Sequence, residues 1–167
     1  ILLQFILRMT FGVALAMTIT PSRLVTSGFY RVHLWVLMGI NVFGSLILFS
    51  GDSTSSDPWV LCLLVPGLAL FSYLGSVTWL YEAPRTGWYF LVIITVAGLF
   101  ATCCQQPWEA DPWTGQTLLT AANLVTSGLL LGSVLTAMLL GHWYLNTPTM
   151  QLAPLNRLLM LLFAALA

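Results

Sequence analysis

Charge is what this sequence has least of. Only 6% of its residues are Asp, Glu, Lys or Arg, where a soluble domain carries roughly a quarter. So few charges cannot cover a water-facing surface, which excludes an ordinary soluble domain. The acidic and basic residues balance, five against five, with no basic run or tail. A nucleic-acid partner is therefore not expected. Also missing are a Cys-x-x-Cys pair, a Gly-rich phosphate loop, a Gly-x-Ser-x-Gly elbow and a His-Glu-x-x-His zinc motif. Without them hydrolysis, phosphoryl transfer and zinc or iron–sulfur chemistry have nothing to rest on, and the chain reads as having no catalytic activity of its own. Carboxylates are absent from every long apolar stretch, which argues against a proton-coupled carrier or pump.

What is present is apolar: 59% of the chain, with a mean hydropathy of +0.93. Continuous Leu-rich runs near the length of a membrane helix recur from end to end. A transmembrane barrel would need apolar and polar residues to alternate, and they do not. The fold expected is an all-α integral membrane protein, one polytopic domain over 1–167. Its bundle has about six transmembrane helices, antiparallel and packed in sequential order. The spans read as 1–19, 31–49, 58–81, 87–104, 113–141 and 154–167. Asp57-Pro58-Trp59 and Asp111-Pro112-Trp113 open two of them in the same way. Asp suits the N-cap, Pro the first helical position and Trp the lipid interface. The fifth span exceeds the bilayer core of about 30 Å, so it tilts, protrudes or begins with an interfacial turn. The chain starts at Ile1 and stops at Ala167 inside an apolar run, so the sixth span reads as truncated and the sequence as a window onto a longer protein.

Loop charges give an orientation. Arg23, Arg31, Arg85 and Arg157 fall on one side, and Asp52, Asp57, Glu109 and Asp111 on the other. By the positive-inside bias, loops 20–30, 82–86 and 142–153 are expected in the cytoplasm. Loops 50–57 and 105–112 are expected on the outer side.

Few residues offer chemistry. The chain has two histidines, His33 near the start of the second span and His142 at the end of the fifth. Both fall at one depth, so a pair facing across the bundle would suit the axial positions of a haem b. The plainer reading is two interfacial side chains bonded to loop backbone or lipid headgroups. Gly128 and Gly132 form a Gly-x-x-x-Gly pair, which lets another helix or a flat ligand come close. Arg8 is the one charge deep within a span rather than near its end, and it needs a lipid, a substrate, another subunit or a snorkelling path to water. Asn41 and Tyr144 are further candidates for partner, lipid or substrate contact. Cys62, Cys103 and Cys104 fall toward the same side, so Cys62 is a candidate for a disulfide to Cys103 or to Cys104 in an oxidising compartment, the alternative being three buried apolar thiols.

Three functional readings follow. The first is a non-catalytic subunit of a larger membrane complex, such as an electron-transfer assembly, with lipid and other membrane subunits as partners. The second is a small-molecule channel or carrier using polar residues such as Asn41. The third is a haem-b protein with His33 and His142 as axial ligands.

Overall fold

The computed structural model describes residues 1–50, 58–106, 115–146 and 152–166. Six helices make up nearly all of it: α1 (Leu2–Ile19), α2 (Ser27–Phe49), α3 (Pro58–Leu80), α4 (Pro84–Gln105), α5 (Gly115–Asn146) and α6 (Ala153–Leu166). The first five are long and apolar enough to cross a membrane. The all-helical bundle expected from composition is therefore the fold, and the chain is a multi-pass helical membrane protein. The sixth helix has 14 residues, about 21 Å at 1.5 Å per residue, and falls short of the bilayer core.

Three helix boundaries differ from the sequence expectation. α2 starts at Ser27 rather than 31, because extended Thr26 serves as its N-cap and nothing helix-breaking follows. α4 starts at Pro84 rather than 87, since proline is tolerated at the first helical position, where no N–H is needed. The largest difference is at the end of α5. Residues 142–146, expected in a loop, are helical. Gly141 alone does not stop a helix, whereas the first residue that bars a helical N–H is Pro148, which lies outside the described residues. The helix of 32 residues is thus about 48 Å long. Residues 51–57, 107–112 and 147–151 of the expected loops lie outside the described residues as well, as does the Asp-Pro-Trp at 111–113.

Packing follows the chain order except between α4 and α5. α1 is the most buried of the five spans and packs against α2, α4 and α5, while α2–α3, α3–α4 and α5–α6 complete the bundle. α5 therefore lies on α1 and not beside α4, its neighbour in the chain. Glycine explains the choice. A Cβ placed on Gly12 of α1 would fall into the Gly128 carbonyl, and one on Gly132 would fall into the backbone of Gly12. Helix backbones can come this close only where both sides lack side chains. The Gly128-x-x-x-Gly132 groove is thus filled by α1 and holds no flat ligand. α4 approaches the same helix through Gly98, whose Cβ would lie 3.4 Å from the Phe11 Cα.

The α3–α4 connection is the tight turn its sequence suggests. The Ala83 N–H reaches the Thr78 carbonyl (3.1 Å) and the Glu82 N–H reaches the Trp79 carbonyl (3.4 Å). This closing pattern places one residue in the left-handed region. Here it is Glu82, at φ 53°, where glycine would be unstrained. Glu82→Gly is expected to stabilise the protein by about 1 kcal/mol. A thermal or denaturant midpoint that falls in this variant would show that the Glu82 side chain has an offsetting role.

Candidate functional site

The first turns of α1, the residue after α4 and the first half of α5, all remote from the arginine-bearing turns, meet in a small polar cluster. Gln4 and Arg8 are one helical turn apart and share a face of α1. The Arg8 Nη1 donates to the Ser127 hydroxyl at 2.9 Å, and its Nη2 donates to the Gln106 Oε1 at 3.3 Å. Gln4 Nε2 donates to the same Gln106 oxygen. Arg8 Nε is buried without a partner. The intramembrane cation therefore has two neutral acceptors, from α5 and from the residue that follows α4. It lines a surface groove of about 180 Å³ with Ile1, Gln4, Phe5, Ser127 and Leu131. The arrangement can hold a hydrogen-bond acceptor or an anion at the groove, because a guanidinium has five donors and the described acceptors use two of them.

Asn41 is placed quite differently. It is fully buried between α2 and α1, and its Nδ2 donates to the Thr10 hydroxyl at 3.1 Å and to the Leu37 carbonyl at 2.8 Å. The Thr10 hydroxyl in turn approaches the Asn41 Oδ1 at 3.4 Å. Both amide protons are committed within the bundle, so Asn41 joins helices and faces no path. Bonds of this kind inside membrane bundles average about 0.6 kcal/mol and reach about 1.7. Asn41→Leu also leaves the Thr10 hydroxyl short of a partner, so a loss of about 1–2 kcal/mol is expected. Unfolding midpoints in detergent check it, and an unchanged midpoint would mean the pair contributes nothing.

The two histidines are not brought together as a pair. His33 is 2% exposed, with Nδ1 2.8 Å from the Phe29 carbonyl and its ring 4.0 Å from the Phe29 ring. Phe29 also meets the Trp143 ring, edge on, at 6.3 Å. Trp143 in turn covers Gly28, where a Cβ would come 3.3 Å from the indole. Trp143 thus packs on the first turn of α2, against the Phe29 ring that also meets His33. His142, the residue before Trp143, is exposed and has no ring or hydrogen-bond contact among the described residues. An axial pair needs both ring nitrogens turned to one space. One ring is packed under Phe29 and the other is turned outward, so the two as placed do not fit a bis-histidine haem. His33 Nε2 is left buried without a partner.

Tyr144 is half-buried against the core, and its hydroxyl meets the Leu155 backbone; it secures the corner between α5 and α6. Cys62, in the first turns of α3, and Cys103, near the end of α4, lie toward the same end of antiparallel neighbours, but no disulfide joins them or Cys104. Among the described residues no three His, Cys, Asp or Glu side chains gather as a metal site.

Sequence reasoning missed the clasp at the arginine-bearing end. Tyr30 of α2 and Trp79 of α3 stack at 4.0 Å with planes 7° apart. The Tyr30 hydroxyl donates to the Thr20 carbonyl at 2.7 Å, and Trp79 packs where a Cβ on Gly87 of α4 would collide with its indole. The one signal available was a glycine in the first turn of α4. Gln106 and Ser127 were also missed as partners of Arg8.

Compared with protein-family models, with curated proteins and with solved structures, the chain matches none.

Proposed function

We propose that the chain is a non-catalytic integral-membrane subunit of a larger membrane complex, with its arginine-bearing turns on the cytoplasmic side. The observation that supports this reading is Arg8. It is a cation inside a span, held by two neutral side chains and bordering a groove on the outside of the bundle. Intramembrane charge is costly and is usually kept for a partner. A carboxylate or carbonyl from a neighbouring polypeptide seated in the groove would complete its hydrogen bonding. Several of the other polar groups within the spans are buried and bonded to a neighbouring helix or to their own helix backbone, as at Asn41, Ser72 and Thr102. They act as structure and not as the lining of a transport path. Any electron-transfer or other chemistry would belong to the partners.

The test is isolation of the tagged protein from its native membrane in mild detergent. The expected result is a stoichiometric second polypeptide that is lost in Arg8→Leu. A stable lone monomer would overturn the reading.

A further inference from the structure

A second charged site lies at the opposite end of the molecule. The α1–α2 connection and the start of α4 enclose a pocket of about 310 Å³ lined by Ser22, Arg23, Pro84, Arg85, Trp88 and Tyr89. We propose that this pocket binds a phosphate group, supplied by the headgroup of an anionic membrane phospholipid.

Two guanidinium groups from separate connections line one pocket, although like charges repel. Neither Arg23 nor Arg85 has a hydrogen-bond or ion-pair partner among the described residues, and both are exposed. Glu82, the one described carboxylate in this turn, pairs with neither. The pocket also receives the start of α4. Ala83 provides no side-chain cap there, and Pro84 occupies the first helical position. The Gly87 N–H is taken by the Ala83 carbonyl, which leaves the N–H groups of Arg85 and Thr86 as the unpaired donors of the first turn. Guanidinium forks, a hydroxyl and the positive end of a helix together match the oxygens of a phosphate.

The surroundings indicate where that phosphate comes from. Trp88 and Tyr89 form the remaining wall, 44% and 63% exposed, with rings edge to face at 5.6 Å. Exposed Trp and Tyr at the end of a membrane helix sit at headgroup level, where an acyl chain can run down α4 while its phosphate enters the pocket. The arginines of this end would thus do more than orient the chain by summed charge. Two of them form a defined site, and Arg31, which instead lies over the Trp35 ring at 5.6 Å, does not belong to it.

The test uses the whole protein in lipid nanodiscs, with bound lipid counted by native mass spectrometry. Wild type is expected to retain phosphatidylglycerol over phosphatidylcholine by at least about tenfold, the scale of one charge-assisted contact. Arg23→Ala/Arg85→Ala should lose that preference, while Arg31→Ala, with the same change per residue in charge, should keep it. If the alanine pair does not fold, Arg23→Lys/Arg85→Lys keeps the charge, removes the planar forks and should weaken retention at least about threefold. Displacement of the lipid by millimolar inorganic phosphate, without loss of the Arg23/Arg85 dependence, would assign the same site to free phosphate. Equal retention of both lipids by wild type, an equal loss in Arg31→Ala, or full preference in the double variants would overturn the proposal.

Discussion

Gly12→Leu is expected to detach α5 and α6 from the rest of the bundle. At this crossing the backbones of Gly12, Gly128 and Gly132 touch with no side chain between them. The atoms in the way of a new side chain are main-chain atoms of a helix, which cannot rotate aside as a flexible side chain would. Overpacking ordinarily costs about 1–3 kcal/mol, and here the two helices must separate, so a loss upwards of about 3 kcal/mol is expected. α6 follows because its main contact is α5. The Arg8–Ser127 bond, one residue before Gly128, should break in the same event. Unfolding in detergent, followed by tryptophan fluorescence and by labelling of a cysteine placed at position 127, checks both parts. Wild-type stability in Gly12→Leu would mean that α5 does not cross α1 at these glycines.

Trp79→Ala is expected to be nearly as damaging, for the opposite reason. Trp79 is 3% exposed and links three elements at once: the stacked Tyr30 ring of α2, its own helix α3 and the bare first turn of α4 at Gly87. Removing the indole leaves a cavity that rigid helix ends cannot close, a loss of about 3–5 kcal/mol. Within a bilayer the part due to water exclusion is reduced, so the lower end of the range applies. Trp79→Phe should recover most of it by keeping the stack. Tyr30→Phe should lose only the bond to the Thr20 carbonyl, about 1 kcal/mol. If Trp79→Ala and Tyr30→Phe proved equally mild, the clasp would not be holding the helix ends together.

These two sites also mark where sequence reading stops. Helix number and type were legible because a bilayer imposes one pattern, a long apolar run, on every span. The Pro58 helix start follows from proline's chemistry, and the same chemistry starts α4 at Pro84, three residues before the boundary expected from the sequence. The groove at Gly128-x-x-x-Gly132 was visible as a pattern, but its occupant was not. A single Gly12 in an apolar run looks like any other small residue until its partner helix is known. Arg8 and Ser127 are far apart in the chain, and only the crossing of α1 with α5 brings them within 2.9 Å. His33 and His142 were judged by depth, which periodicity gives. Whether a ring points inward depends on which side of α5 meets the bundle, and there Trp143 faces the core while His142 is turned away. The end of α5 was misplaced because glycine was weighted as a stop, whereas helices in membranes tolerate it.

The central claim is that the groove beside Arg8 faces another polypeptide, and crosslinking from within that groove tests it most directly. A photoreactive residue in place of Leu131, which lines the groove with Arg8 and Ser127, is activated in native membranes. The expected product is a covalent adduct to one defined membrane polypeptide, its yield falling several-fold when Arg8 is also replaced by Leu. Adducts to lipid alone, unchanged by Arg8→Leu, would contradict the account.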